Sequence, residues 1–303
     1  MNMLEYMMNA ESVSIVSDGF KLDGTFYWEE GALRDDAPLV IVCSGFTGLK
    51  HIHPERFARY LTREGYLTFG FDYRGFGDSE GEQGKVLLEE QVRDIANVVA
   101  YVAAHAKREN RKLVLAGWGM AGGLVLDAFG HAEDLVDGLV CMNGFYDAVR
   151  VQKALRGELG WKSFRHFMNE ERLRLAQGGE ARKLDPFDIY PLDPISKGYV
   201  DEVLWKTPGY GLTSDLDFAD SLIAFKPEAS VDERFSNTPL LIAHGAENDL
   251  HPVSEARALY AAYPGPKSLY LLPEGGHTEW MLDEDPKFQA FAGRVDAWLQ
   301  QSL

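Results

Sequence analysis

Ten consecutive residues, Val114-Leu115-Ala116-Gly117-Trp118-Gly119-Met120-Ala121-Gly122-Gly123, stand where an apolar strand pattern gives way to a helical one. Small residues at alternating positions suit an abrupt strand-turn-helix elbow, in which a Cβ would strike the neighbouring backbone. The same composition suits a phosphate cradle at a helix N-terminus. That use is disfavoured, because the turn follows the fifth predicted strand and no Lys-Ser/Thr pair comes after it. Far along the chain, His277 lies between Gly275-Gly276 and Thr278-Glu279-Trp280, just past the last predicted strand. An imidazole in such a loop can move protons if a carboxylate orients its second ring nitrogen. The segment His244-Gly245-Ala246-Glu247-Asn248-Asp249-Leu250-His251-Pro252 supplies that partner, and Asp249 is preferred because the neutral amide of Asn248 would not stabilise an imidazolium. Asp147 is a third option. His51 and His53 are one residue apart and could ligate a metal, but a solvated loop or pocket wall is the favoured reading and no metal is assigned. Asp215, Asp217 and Asp220 read as a helix start with a solvated face, not a calcium loop.

The elements that must position these groups alternate in type. Ser12 to Val16 and Phe20 to Trp28 read as a hairpin turning at Ser17-Asp18-Gly19. Pro38–Cys43 is apolar without alternation, the mark of a strand buried on both faces, and Tyr66–Tyr73, Lys112–Ala116, Asp137–Met142, Pro239–His244 and Ser268–Leu272 read as further strands. Between them lie helical stretches at Pro54–Glu64, Leu87–Ala106 and Val253–Ala262, with a closing helix from Asp285. Strand-helix alternation predicts a mostly parallel sheet flanked by helices. The rhythm breaks between about Asp147 and Phe235, where Trp161, Phe164, Phe187, Tyr190, Tyr199 and Trp205 occur among helical and proline-broken segments. One domain is expected, with a core of 11–146 and 236–303 and a helical lid over 147–235 at the carboxyl ends of the strands, where open α/β sheets bind ligands.

Composition narrows the partners. The 303 residues carry 30 Lys+Arg against 47 Asp+Glu, a net charge of −17, which disfavours phosphate backbones and anionic lipid surfaces. No run of about 18 apolar residues suggests a membrane span, and the opening MNMLEYMMNA lacks the basic and apolar regions of a secretory signal. The two cysteines, Cys43 and Cys141, lie in apolar runs and read as buried thiols of a cytoplasmic protein. No nucleic acid, membrane or cofactor is called for, and the expected partner is a small acyl or carbonyl compound.

The chain resembles the α/β-hydrolase superfamily over nearly its whole length. Gly117-Trp118-Gly119-Met120-Ala121 is similar to the family's G-x-S-x-G nucleophile elbow, and Ser44-Gly45-Phe46-Thr47-Gly48 to its oxyanion turn. Phe71 to Gly81 (FDYRGFGDSEG) resembles the loop after the next strand, and Gly275 to Trp280 the catalytic-histidine loop. The resemblance implies an α/β-hydrolase fold with a lid inserted before the last core strands. It implies Gly119 at the nucleophile position, His277 as base, backbone oxyanion donors at Phe46 and Met120, and Trp118 among the substrate-binding residues. The family's common spacing puts the acid at Asn248, whereas charge favours Asp249. Three departures stand out: Ser44 replaces a histidine, Ala121 replaces a glycine, and Gly119 stands where a serine would attack.

Three functions follow from that departure. The first is a hydrolase of esters, thioesters, lactones or related acyl compounds whose nucleophile has been replaced. The second is a natural lyase, isomerase, cyclase or acyltransferase that works without an acyl-enzyme, in the manner of polyketide tailoring. The third is a non-catalytic ligand-binding protein.

Overall fold

The computed structural model describes residues 8–46 and 48–303. The opening segment that was read for a leader, up to Met7, and Thr47 of the glycine turn lie outside the described residues. The chain starts with a hairpin, β1 (Asn9–Ser17) and β2 (Phe20–Trp28), closed by Asp18 and Gly19, both at positive φ as a tight two-residue turn requires. Six further strands follow: β3 (Leu39–Cys43), β4 (Leu67–Phe71), β5 (Leu113–Trp118), β6 (Gly138–Met142), β7 (Leu240–Gly245) and β8 (Lys267–Leu272). They form one sheet in the order β1-β2-β4-β3-β5-β6-β7-β8, antiparallel only across β1/β2 and β2/β4.

Alternate residues of each central strand feed two different cores. Leu39, Ile41 and Cys43 face one layer, while Val40 and Val42 face the other. The first layer is closed by α2 (Leu88–Ala104), α3 (Ala121–Phe129) and α8 (Val253–Ala262), the second by α1 (His53–Arg63) and α9 (Pro286–Ser302). Apolar runs without alternation are what such two-sided burial demands. Between β6 and β7 the chain adds α4 (Ala148–Ala176), bent at Gly157, then α5 (Pro186–Ile189), α6 (Pro194–Glu202) and α7 (Leu216–Ala224). Asp147, Asp185, Asp193 and Asp215 cap these four helices through their carboxylates. Trp161, Phe164, Met168, Ile189, Tyr190 and Phe218 pack into the same apolar cluster as the α2–α3 layer. Among the described residues, no helix is long and apolar enough to cross a membrane.

The loop leaving β3 is anchored by a buried ion pair. Lys50 donates from Nζ to Asp72 at 2.6 Å and to Asp23, and its backbone N–H donates to Asp72 at 2.7 Å. Burial works against the Lys50 ammonium, yet the two carboxylates hold its pKa above the ordinary value. Burial raises Asp72 in spite of that neighbour. Removing one partner of such a pair strands the other charge in a dry site. We therefore expect Lys50→Ala to cost about 3 kcal/mol or more in urea unfolding; a loss below about 1 kcal/mol would mean that the loop is held by other contacts.

Candidate active site

β5 ends at Trp118, and the chain reverses through Gly119 into α3. Gly119 has φ +59°, a left-handed conformation, and its amide donates to Met142 O at 2.8 Å. A Cβ at this position would point along an open path to His277, 3.6 Å from Nε2. The β3 loop approaches the elbow so closely that a Cβ on Gly45 would lie 2.9 Å from Trp118 O, which explains the glycine there and brings Phe46 beside Met120. Gly45, Phe46, Trp118, Gly119, Met120 and His277 all line one cavity. Its remaining wall is mostly apolar and comes from the inserted segment, including Phe187, Tyr190, Leu192, Tyr199, Val200 and Leu204. Five of the six site residues expected from the sequence, Phe46, Trp118, Gly119, Met120 and His277, thus meet in one place, and Asp249 does not join them.

Asp249 is exposed and lines an acidic hollow with Asp193, Glu247 and Glu279 that reaches His277 from the side away from the cavity residues Gly45, Phe46 and Met120. Among the described residues, no hydrogen bond joins it to the ring. The partner of His277 is Asn248, whose Nδ2 stands 3.1 Å from Nδ1. Asp147 is likewise not the partner, being occupied with the Arg150 amide and Lys226. The preference for Asp249 rested on charge; backbone geometry overrides it. Asn248 is buried and its Oδ1 accepts the His251 N–H at 2.9 Å, so the loop turns this residue inward and its neighbour outward.

That contact also fixes a proton. A backbone N–H can only donate, so the amide oxygen must face His251 and the NH2 must face His277. Nδ1 of His277 is therefore an acceptor, and in the neutral ring the hydrogen resides on Nε2, toward Gly119. Burial, with His53 and His244 nearby, lowers the His277 pKa to about 3, so the ring is neutral at physiological pH. This tautomer is the reverse of the one a serine nucleophile needs, in which Nε2 is the bare acceptor.

The surrounding loops are tied by residues that the sequence reading passed over. Asn143, fully buried and at φ +48°, accepts from Gly245 N at 2.7 Å and donates to His277 O at 2.9 Å. Its own carbonyl accepts His251 Nδ1–H at 2.5 Å, and the other nitrogen of that ring pairs with the Tyr190 hydroxyl. One asparagine thus joins the ends of β6 and β7 to the histidine loop, and one tyrosine joins the inserted segment to them. Its position directly after β6 was the only hint. His51 is exposed and pairs with Glu55 at 2.6 Å, whereas His53 is buried in the cavity wall, stacked on Trp118 with centroids 5.1 Å apart. His277 packs on the same indole at 5.8 Å.

Residues 35–195 match the family model described as serine aminopeptidase, S33. The chain belongs to this family of α/β hydrolases. An Escherichia coli protein of 31.7 kDa, named for its place in the traX-finO intergenic region, is 27% identical over 290 residues, covering 95% of this chain and 98% of its own. The solved structure of DcsB with its substrate analogue matches at TM-score 0.75 and 20% identity, over 97% of this chain and 100% of that one. Est1E from Butyrivibrio proteoclasticus with bound ferulic acid matches at TM-score 0.65 and 20% identity, over 96% and 98%. These two likenesses are of fold. The matched span includes the elbow at Gly119 and ends before Asn248 and His277.

Two measurements check this geometry. Long-range 1H–15N correlation spectra should show His277 neutral, with hydrogen on Nε2, from pH 8 to pH 5; a proton on Nδ1 would sink the amide assignment. The second concerns stability. His53 and His277 are lowered to about 3, His244 to about 4, and His251 well below the usual range, in each case chiefly by burial. The unfolded chain takes up these protons near pH 6.5, whereas the native state does not. Stability present above pH 6.5 is thus lost on acidification, by about 1.4 kcal/mol per pH unit for each imidazole once the unfolded form is charged. Urea midpoints should fall steeply between pH 6.5 and 5, and a flat profile there would contradict the burial of these rings.

Proposed function

We propose that this chain acts on a small ester, thioester, lactone or related acyl substrate bound over Gly119, without forming an acyl-enzyme. The observation that carries the reading is the pairing of Gly119 with an Nε2-protonated His277 held by Asn248. Two parts of the nucleophile machinery are changed together, while the elbow, the close approach of Gly45 and the inward imidazole are kept. A serine-to-glycine replacement alone would leave an aspartate behind His277.

In this reading the substrate carbonyl oxygen lies between the backbone amides of Phe46 and Met120 and the His277 ring. A neutral imidazole N–H is an electrophile that polarises a carbonyl without losing its proton. With the amide dipoles it stabilises negative charge developing on oxygen, in a cavity from which aromatic side chains exclude water. Such a site favours attack by a hydroxyl or amine within the substrate or on a second substrate: the new bond to the carbonyl carbon replaces the bond to the alcohol or thiol leaving group, which departs with the nucleophile's proton, giving cyclisation or acyl transfer. The inserted segment acts as the lid. A second reading, a serine hydrolase with its nucleophile replaced, is favoured by one feature, the open path from Gly119 to His277.

Wild-type protein should resist labelling by a fluorophosphonate, and its turnover of acyl thioesters or lactones should drop at least a hundredfold in His277→Ala. Gly119→Ser alone should gain little hydrolysis of aryl esters, because the tautomer is wrong. Adding Asn248→Asp should raise that hydrolysis by roughly 10³- to 10⁴-fold. The left-handed backbone at 119 predicts a stability loss of about 1 kcal/mol with serine. Efficient labelling of the single variant Gly119→Ser would favour the replaced-nucleophile hydrolase instead.

A further inference from the structure

The wall of the cavity is mostly apolar, yet three polar side chains in it have no hydrogen-bond partner among the described residues. His53 is 4% exposed with both ring nitrogens unpartnered, and Ser196 (4%) and Thr278 (8%) carry unpartnered hydroxyls. None of them has a part in polarising the carbonyl. They arrive from three separate places: the first turn of α1, the first turn of α6 and the histidine loop. A neutral imidazole left without a partner in such a wall costs about 1–3 kcal/mol in unmet hydrogen bonding. A phenylalanine would stack on Trp118 at position 53 without that cost.

Polar groups kept at a cost to stability, and facing a cavity that also holds a reactive centre, are groups awaiting a ligand. An imidazole in one tautomer offers one donor and one acceptor, and each hydroxyl offers both. The complementary ligand group is therefore itself a hydroxyl, able to donate to one and accept from another. The neighbouring wall is aromatic, with Phe46, Phe187, Tyr190 and Tyr199 joining Trp118. Flat rings fit such a wall better than a flexible chain.

We propose that His53, Ser196 and Thr278 form a second, hydroxyl-recognising subsite, so that the substrate is a compact aromatic or cyclic acyl compound bearing a hydroxyl away from its reacting carbonyl. This inference deepens the proposed function and rests on the same cavity being the substrate site. It excludes unadorned fatty acyl chains as the preferred substrates, since these would leave all three groups unmet.

The test uses two ketones that cannot be hydrolysed, 4-(4-hydroxyphenyl)butan-2-one and 4-phenylbutan-2-one, titrated calorimetrically into the full chain. Wild type should bind the hydroxylated ketone at least about tenfold more tightly, the worth of one well-formed buried hydrogen bond. His53→Phe should erase that preference, leave the affinity for 4-phenylbutan-2-one unchanged or improved, and raise the thermal midpoint. His53→Gln, which keeps a donor and an acceptor, should retain part of the preference. Equal affinity for the two ketones in wild type, binding of neither, or an unchanged preference in His53→Phe would each overturn the subsite. Because binding is read without turnover, the expected selectivity in a protein that transforms no acyl substrate would remove the catalytic reading and leave the subsite standing.

Discussion

The hydrogen bond from His251 N–H to Asn248 Oδ1 sets the chemistry of this site, although neither group touches the cavity centre. A side-chain amide has two faces of nearly equal shape and opposite polarity. The backbone donor chooses which face is inward, and through it which ring nitrogen of His277 carries hydrogen. An aspartate at the same place would accept from both neighbours and leave Nε2 bare. The exchange of one oxygen for an NH2 thus turns a base into a donor with no displacement of the ring. Glycine at 119 is consistent with that inversion, because a hydroxyl there would have no base to take its proton.

The same loops are held to a common point by interactions that tolerate little change. Asn143 bonds to the ends of two strands and to the histidine loop, and the Lys50–Asp72 pair pins the β3 loop from the opposite side. Each is buried, so each is costly to break. Rigid neighbours on both sides of Trp118 leave its indole as a fixed wall with one imidazole stacked on it and another packed against it. The inserted segment is tied to this site by the Tyr190 hydroxyl on His251 and by the Phe46 ring among Tyr190 and Phe218.

Much of this was legible in the sequence, for identifiable reasons. Two-sided burial leaves a mark that needs no tertiary knowledge, so the core strands were found within a residue or two; the hairpin turn at Asp18-Gly19 was found as well, although β1 begins three residues before the expected Ser12. The elbow was visible because close backbone approach excludes side chains at Gly117 and Gly122, and a left-handed backbone favours glycine at 119. Choosing between Asn248 and Asp249 failed because that choice depends on which way a loop faces. One residue of rotation exchanges a buried position for an exposed one, and preference by charge cannot see it. Asn143 was equally hidden, since its importance lies in partners contributed by segments distant in the chain, whereas His53 was read as loop or pocket wall and only its lack of a partner was out of reach.

Energetic considerations bear on why such a site persists. Four neutral imidazoles buried in and around one cavity lower stability toward acid, and unpartnered polar groups lower it at every pH. A protein that merely retained an old fold around a lost reaction would have no need to keep either liability, because apolar residues of similar shape would pack the cavity more stably. In the proposed reading, glycine at 119 together with a firmly held imidazole that presents N–H to it, beside polar groups without protein partners, fits a reaction that uses hydrogen-bond donation in place of attack by a protein side chain.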